Sequence, residues 1–182
     1  MLSEHLVYST AIAIIFGMLY RGITGRENSW LIIFSAYAPD IDILAAKIGE
    51  VSGLFHIEHG DFHNIAFLLL YAFLISLILR GFRQTDTFIF AAVGFAAHLI
   101  EDSIVFYPGY RILWPLYDGE VGFGIFNYRA DVFGIADKEV LAVGILLVFL
   151  AAFIRTIYEG NGWFRKLVTP ESRYQTTHID IL

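Results

Sequence analysis

The chain contains no cysteine, which excludes disulfides, thiolate metal sites and a cysteine nucleophile, so any bound metal must rest on imidazole and carboxylate. Charge is also scarce: only 16% of the 182 residues are Asp, Glu, Lys or Arg while 57% are hydrophobic, a balance too apolar for a soluble domain of this size. The 12 basic residues are outnumbered by 18 acidic ones, and the resulting charge of -6 makes nucleic acid an unexpected partner. Periodic repeats, coiled-coil heptads and a glycine-rich phosphate loop are missing as well, which leaves a single helical bundle as the expected architecture.

What is present is a set of five apolar stretches: Leu6 to Tyr20, Trp30 to Ile48, Phe62 to Leu79, Thr87 to Tyr107 and Val140 to Tyr158. Each approaches the length that crosses roughly 30 Å of hydrocarbon at about 1.5 Å per residue. The fold class that follows is all-α, a polytopic integral membrane bundle with about five transmembrane helices. The first stretch follows Met-Leu-Ser-Glu-His, with no basic leader or cleavage signature, and reads as a retained membrane element. Residues 1–159 form the membrane-embedded part, including an external loop at 110–138 that holds Pro115 and several glycines among aromatics; residues 160–182 form a polar cytoplasmic tail.

Basic residues set the expected orientation. With the N-terminus outside, eight of the 12 fall on the cytoplasmic side and only Lys47, Arg111, Arg129 and Lys138 outside, as the positive-inside tendency requires. The acids divide the other way, so the external side carries about -9 and marks a candidate cation-binding face at a cytoplasmic (inner) membrane.

That topology also gathers ligand-type residues from distant helices at one depth. His5 begins the first helix, Pro39-Asp40-Ile41-Asp42 interrupts the second near its external end, and His63 begins the third. His98 and Asp102 lie near the external end of the fourth, four residues apart and therefore on one helix face. Such groups are costly in lipid and belong inside the bundle, paired or holding a metal. Around His63, the run Glu58-His59-Gly60-Asp61-Phe62-His63 places two imidazoles four apart, the spacing of shared metal coordination. Here His56 and His59 are either ligands or surface-loop residues, Glu58 coordinates or orients a ligand, and Asp61 is a helix cap or an exposed acid. Asp40 and Asp42 do not share one face of a regular helix, but a break at Pro39 brings both toward a compact cluster; the structural alternative is Asp40 capping the next turn.

These residues carry a resemblance. His5, Pro39-Asp40-x-Asp42, Gly60-x-x-His63, His98-x-x-x-Asp102 and Trp114-Pro115, spread over roughly the first two thirds of the chain, resemble the small inner-membrane metal-dependent hydrolase family that carries a LexA-binding designation. The resemblance implies a phosphoesterase-like site, similar in ligand style to zinc phospholipases C and single-strand nucleases. By motif matching it implies His5, Asp40, Asp42, His63, His98 and Asp102 as ligands. Glu58 stands where the family commonly has histidine, and Phe62-His63-Asn64 departs from the usual Thr-His-Ser.

The donor types independently point the same way. Several imidazoles with three or four carboxylates exceed the needs of one simple zinc and predict two or more divalent ions, zinc first. The expected metal set is His5, Asp40, Asp42, Glu58, His59, His63, His98 and Asp102, with Asp42 or Asp102 as the base. Arg111 serves either as a phosphate clamp or, with Tyr110, Trp114 and Tyr117, as an interfacial anchor. A site at headgroup level favours a membrane-lipid substrate, so the leading expectation is a metal-dependent phosphoesterase acting on a phosphate ester of a membrane lipid or other amphiphile. The alternatives are a metal-dependent lipid amidase and a non-enzymatic metal-binding transporter. A homo-oligomer or a membrane-protein partner is compatible with this composition. Arg129, Asp131, Asp137 and Glu139 border the expected mouth or form a solvated loop face, and His178 reads as an exposed histidine.

Overall fold

The computed structural model describes residues 2–125 and 138–168; Arg129, Asp131, Asp137 and His178 lie outside the described residues. The regular structure in these segments is helical: α1 (Leu2–Thr24), α2 (Trp30–Ser35), α3 (Ile41–Ser52), α4 (Ile65–Ile78), α5 (Gln84–Val105), α6 (Lys138–Glu159) and α7 (Trp163–Val168). Extended pairing among the described residues is limited to one antiparallel bridge, Tyr110 with Val121.

Among the described residues three helices are long and apolar enough to cross a membrane: Ser3–Thr24, Gln84–Val105 and Lys138–Glu159. The expected count of five is therefore only approximate. The third apolar stretch yields the shorter α4, Ile65–Ile78, because the chain ahead of it is a loop closed by Asn64. The Asn64 side chain accepts from the Phe67 N–H at 3.0 Å and donates to the Asp61 carbonyl at 2.8 Å. Asn64, not Asp61, is thus the cap of α4; Asp61 instead accepts from the Glu58 N–H at 2.9 Å.

The second stretch does not form one helix. It breaks after Ser35 and resumes at Ile41, because Pro39 has no N–H to donate and disfavours helical backbone at Ala38. The turn is tightened by short-range bonds, Ala38 N–H to Ser35 and Asp42 N–H to Pro39. Irregular backbone of this kind is tolerated among membrane helices only where protein or a cavity satisfies it. Here the satisfaction comes from α5, as described below. Beyond the break, α3 turns Ile43, Leu44, Ile48 and Val51 outward.

α5 is the central element. More than half of its membrane-length window is buried, 56%, against 28% for α1 and 22% for α6, so α5 is lined by protein while its neighbours keep lipid-type faces. It packs on α2 and α4, and α1 packs on α6. Close approach is made possible by glycine: a Cβ on Gly94 would run into the Ile32 carbonyl of α2, and one on Gly144 of α6 would strike Tyr8 and Val7 of α1. Ala13, Ile14, Leu31, Ile32, Phe90 and Ala91 fill the space between. Leu19, Ile23, Phe149, Phe153 and Ile157 remain exposed, an apolar belt suited to lipid.

Candidate metal centre

The start of α1, the break after α2, the loop before α4 and the last turns of α5 meet at one end of the bundle, and the cluster they build is buried except at Asp40 and the half-exposed His59. His5, His63, His98 and Asp102 are each about 1% exposed. The Asp40 side chain is 20% exposed.

Each imidazole is held through Nδ1. His98 Nδ1 is 2.6 Å from the Ala36 carbonyl, an acceptor only, so Nδ1 carries the hydrogen and donates. The break at Pro39 leaves that carbonyl outside a helix; its capture by α5 satisfies the break and fixes the histidine together. His63 Nδ1 donates to Asp42 Oδ2 at 3.1 Å, and His5 Nδ1 donates to Glu101 Oε2 at 2.9 Å. His59 Nδ1 donates to Asp42 Oδ1 at 2.9 Å. Histidines that ligate metals are oriented in this way, one nitrogen tied to a carboxylate or carbonyl and the other left free.

The free nitrogens converge. His98 Nε2 and His63 Nε2 lie 3.1 Å apart. Asp102 Oδ2 is 3.2 Å from the first and 3.4 Å from the second, and Asp40 Oδ1 is 3.8 and 3.7 Å from the same two atoms. Asp40 Oδ2 is 3.8 Å from His5 Nε2, and the His5 ring stacks on His98 at 3.8 Å. Among the described residues three groups of potential ligand atoms result: His5 with Asp40 and His98, Asp40 with His59 and His63, and His63 with His98 and Asp102. Asp40 belongs to two of them.

Two observations test whether a cation fits. With both Nδ1 atoms donating, the two neutral imidazoles would aim lone pairs at each other across 3.1 Å, an arrangement that needs a proton or a metal ion between or beside them. In addition, Asp102 Oδ1 is buried with no hydrogen-bond partner among the described residues. A donor set of imidazole nitrogens and carboxylate oxygens suits zinc and similar divalent ions. The residues therefore fit such a group.

Asp42 stands one layer out from this convergence. Its Oδ1 holds His59, and its Oδ2 holds His63 and the Gly60 N–H, the latter at 2.7 Å. Gly60 serves the turn because its φ of +104 is open to glycine and because a Cβ there would press on the Tyr110 ring. The same Tyr110 donates its hydroxyl to His59 Nε2 at 3.1 Å. The hydrogen bond to Asp42 raises the His59 imidazole above its ordinary pKa, against the opposing effect of partial burial.

A match to the family model of the YdjM inner membrane protein covers residues 1–162, nearly the whole described chain. The chain belongs to the YdjM inner membrane protein family. No curated protein and no solved structure matches it. Within this YdjM-family chain, membrane residence and a helical bundle agree with the sequence expectation.

Of the expected site residues, His5, Asp40, His63, His98 and Asp102 come together, and His59 joins from the loop side. Glu58 does not. Its side chain is exposed and accepts from His56 Nε2 at 3.1 Å, because the loop turns it away from Asp42. Asp42, expected as ligand or base, bonds His59, His63 and the Gly60 N–H through its two oxygens and lies in none of the three ligand groups. Arg111 is exposed and paired with Asp118 at 3.4 Å; beside Trp114, Gly60 and Asp61 it lines a separate recess of about 430 Å³. Three participants escaped the sequence reading: Glu101, the Ala36 carbonyl and Tyr110. Only Glu101 left a signal there, an acid three residues beyond His98 within a buried membrane helix.

Proposed function

We propose that this YdjM-family protein is a metal-dependent hydrolase of a phosphate ester carried by a membrane amphiphile, with the site at the external face and the C-terminus cytoplasmic. The observation that carries the reading is the convergence of three imidazole Nε2 atoms with Asp40 and Asp102 inside a membrane bundle, each imidazole locked through its other nitrogen. Ionisable groups at such a depth are expensive and mark function.

His5, His98 and Asp40 would hold one divalent ion, and His63 with Asp102, or with His59 and Asp40, would hold another, zinc being the first candidate. When bound, the ions supply Lewis acidity toward a phosphoryl oxygen and activation of water. The chain's own residues do the rest. Asp42 fixes the rings of His59 and His63; the Nε2 of His63 then needs no reorientation, while the Nε2 of His59 accepts from Tyr110. Asp102, whose Oδ1 is unengaged, is the group able to take a proton. Asp40 closes the approach, and Tyr110 shields the loop side by holding His59. The external placement is supported by the basic residues, which collect at the opposite end of the chain's helices.

The test is product chemistry on the purified, metal-analysed protein with phospholipid and isoprenoid-phosphate substrates. Release of inorganic phosphate or diacylglycerol, lost in His98→Ala and in Asp102→Asn together with bound zinc, is expected. Absence of turnover with the metal in place, or turnover unchanged in both variants, overturns the reading. Free fatty acid as the product replaces it with amide or carboxyl-ester cleavage.

A further inference from the structure

A second feature adjoins the cluster. Between α1, α5 and α6 runs a groove of about 570 Å³, walled by Tyr8, Ile15, Leu19, Ile104, Leu147 and Leu150 among others, all on the three membrane-length helices. Along α1 it extends from Tyr8 to Leu19, roughly 16 Å at the helical rise. Its volume falls in the range of small-molecule sites, and it is open along the lipid-facing side, where Leu19, Ile100 and Leu150 are exposed. Among its lining residues only Glu101 is ionisable apart from the Tyr8 hydroxyl, which is already donated to the Val140 carbonyl at 2.8 Å.

Glu101 joins the groove to the cluster. Oε2 accepts from His5, whereas Oε1 is buried without a hydrogen-bond partner among the described residues, in a side chain only about 5% exposed. A buried acceptor without a donor is costly, and a ligand that brings a donor to it gains accordingly. We infer that the α1/α5/α6 groove binds the hydrocarbon chain of a lysophospholipid, and that Glu101 accepts a hydrogen bond from its free glycerol hydroxyl.

The chemistry selects this class. The apolar walls take one chain; the acceptor calls for a hydroxyl where chain and headgroup meet; and the neighbouring cluster calls for a phosphate just beyond. A diacyl phospholipid has that hydroxyl esterified, and an isoprenoid phosphate has none. The fate of the phosphate rests on the hydrolase reading above, but occupation of the groove does not.

The experiment uses the full chain in nanodiscs of diacyl phosphatidylcholine and lysophosphatidic acid carrying a diazirine midway along its acyl chain. After irradiation, label is mapped by peptide mass. The expected result is label confined to segments around 8–19, 97–105 and 147–154, protected by unlabelled lysophosphatidic acid. Its deoxy analogue, which lacks the hydroxyl, should protect about tenfold less well, and Glu101→Gln should abolish that difference. Leu150→Trp, at a half-exposed position, should fill the groove and remove the label while leaving metal content unchanged. Label spread evenly over the lipid-facing helices, or equal protection by the deoxy analogue, overturns the inference. Groove labelling without phosphate release leaves it standing and removes the hydrolase; phosphate release indifferent to Leu150→Trp does the reverse.

Discussion

A histidine in a polar cluster has two nitrogens, and the partner of one decides the use of the other. This rule separates Asp42 from Asp40 although they are two residues apart and chemically identical. Both oxygens of Asp42 are spent on His59, His63 and the Gly60 N–H, whereas Asp40 reaches His5, His63 and His98 at 3.7 to 3.8 Å and touches two of the three ligand groups. Asp42→Asn is therefore expected to retain the number of bound ions while weakening their affinity by about 10- to 100-fold, the usual effect of losing an orienting partner. Asp40→Asn is expected to lower the number itself. Titration with zinc under a competing chelator measures both, and equal loss of stoichiometry in the two variants would return Asp42 to the ligands. The sequence exposed His98 and Asp102 through their four-residue spacing, and Asp40 through the adjacent proline. It showed Glu101 as an acid in a membrane helix but not its role, because its partner is His5 of another helix, and no spacing within α5 reveals a contact made across the bundle.

Among elements, the decisive one is the interrupted second stretch. Composition made Trp30 to Ile48 look like one span, since hydropathy sums residues without regard to where a carbonyl loses its donor. Pro39 was visible as a break, but the answering group on α5, His98, belongs to tertiary structure. α2 must lie close to α5 for that bond, and Gly94 sets the distance through the Ile32 backbone. Gly94→Val should push the two helices apart and cost about 1 to 3 kcal/mol by overpacking. Because Ala36 moves with α2, the same change should also weaken metal binding, though no ligand is altered. Thermal unfolding and zinc affinity measured on the same sample check the coupling; a destabilised variant with unchanged affinity would show that α2 does not position His98. The four apolar stretches that did become single helices were legible because their interiors contain no residue that removes a backbone donor.

At the scale of the whole molecule the two ends of the bundle carry different chemistry. Opposite the cluster, Arg155 is fully buried and donates to Glu27 at 2.5 Å and to the Ile14 carbonyl at 3.2 Å, with the Trp163 ring 5.2 Å from its guanidinium. Asp86 accepts from Tyr20 and Arg26 at the same end, each at 2.6 Å. Among the described residues no metal-type donor set lies there, and Glu27 and Asp86 each face an arginine, so this end serves to join α1, α6 and the turn before α2. Arg155→Met would leave Glu27 buried opposite an apolar side chain and should cost roughly 3 to 5 kcal/mol, with zinc content unchanged in the protein that remains folded. The basic residues of this end are also what orients the chain in the proposed topology, and the absence of cysteine makes that orientation directly measurable. Glu58 is exposed on the loop beside the cluster and contacts none of its ligands, so Glu58→Cys reports the cluster's side without disturbing it. Gly81, with nothing nearby, reports the other end as Gly81→Cys. If the cluster faces outward, a membrane-impermeant maleimide added to intact cells labels the first variant and reaches the second only after lysis. The reverse pattern would place the charged Arg155 end outside and the metal ligands toward the cytoplasm. A substrate would then have to come from the inner leaflet, and the lysophospholipid groove would have to fill from that side.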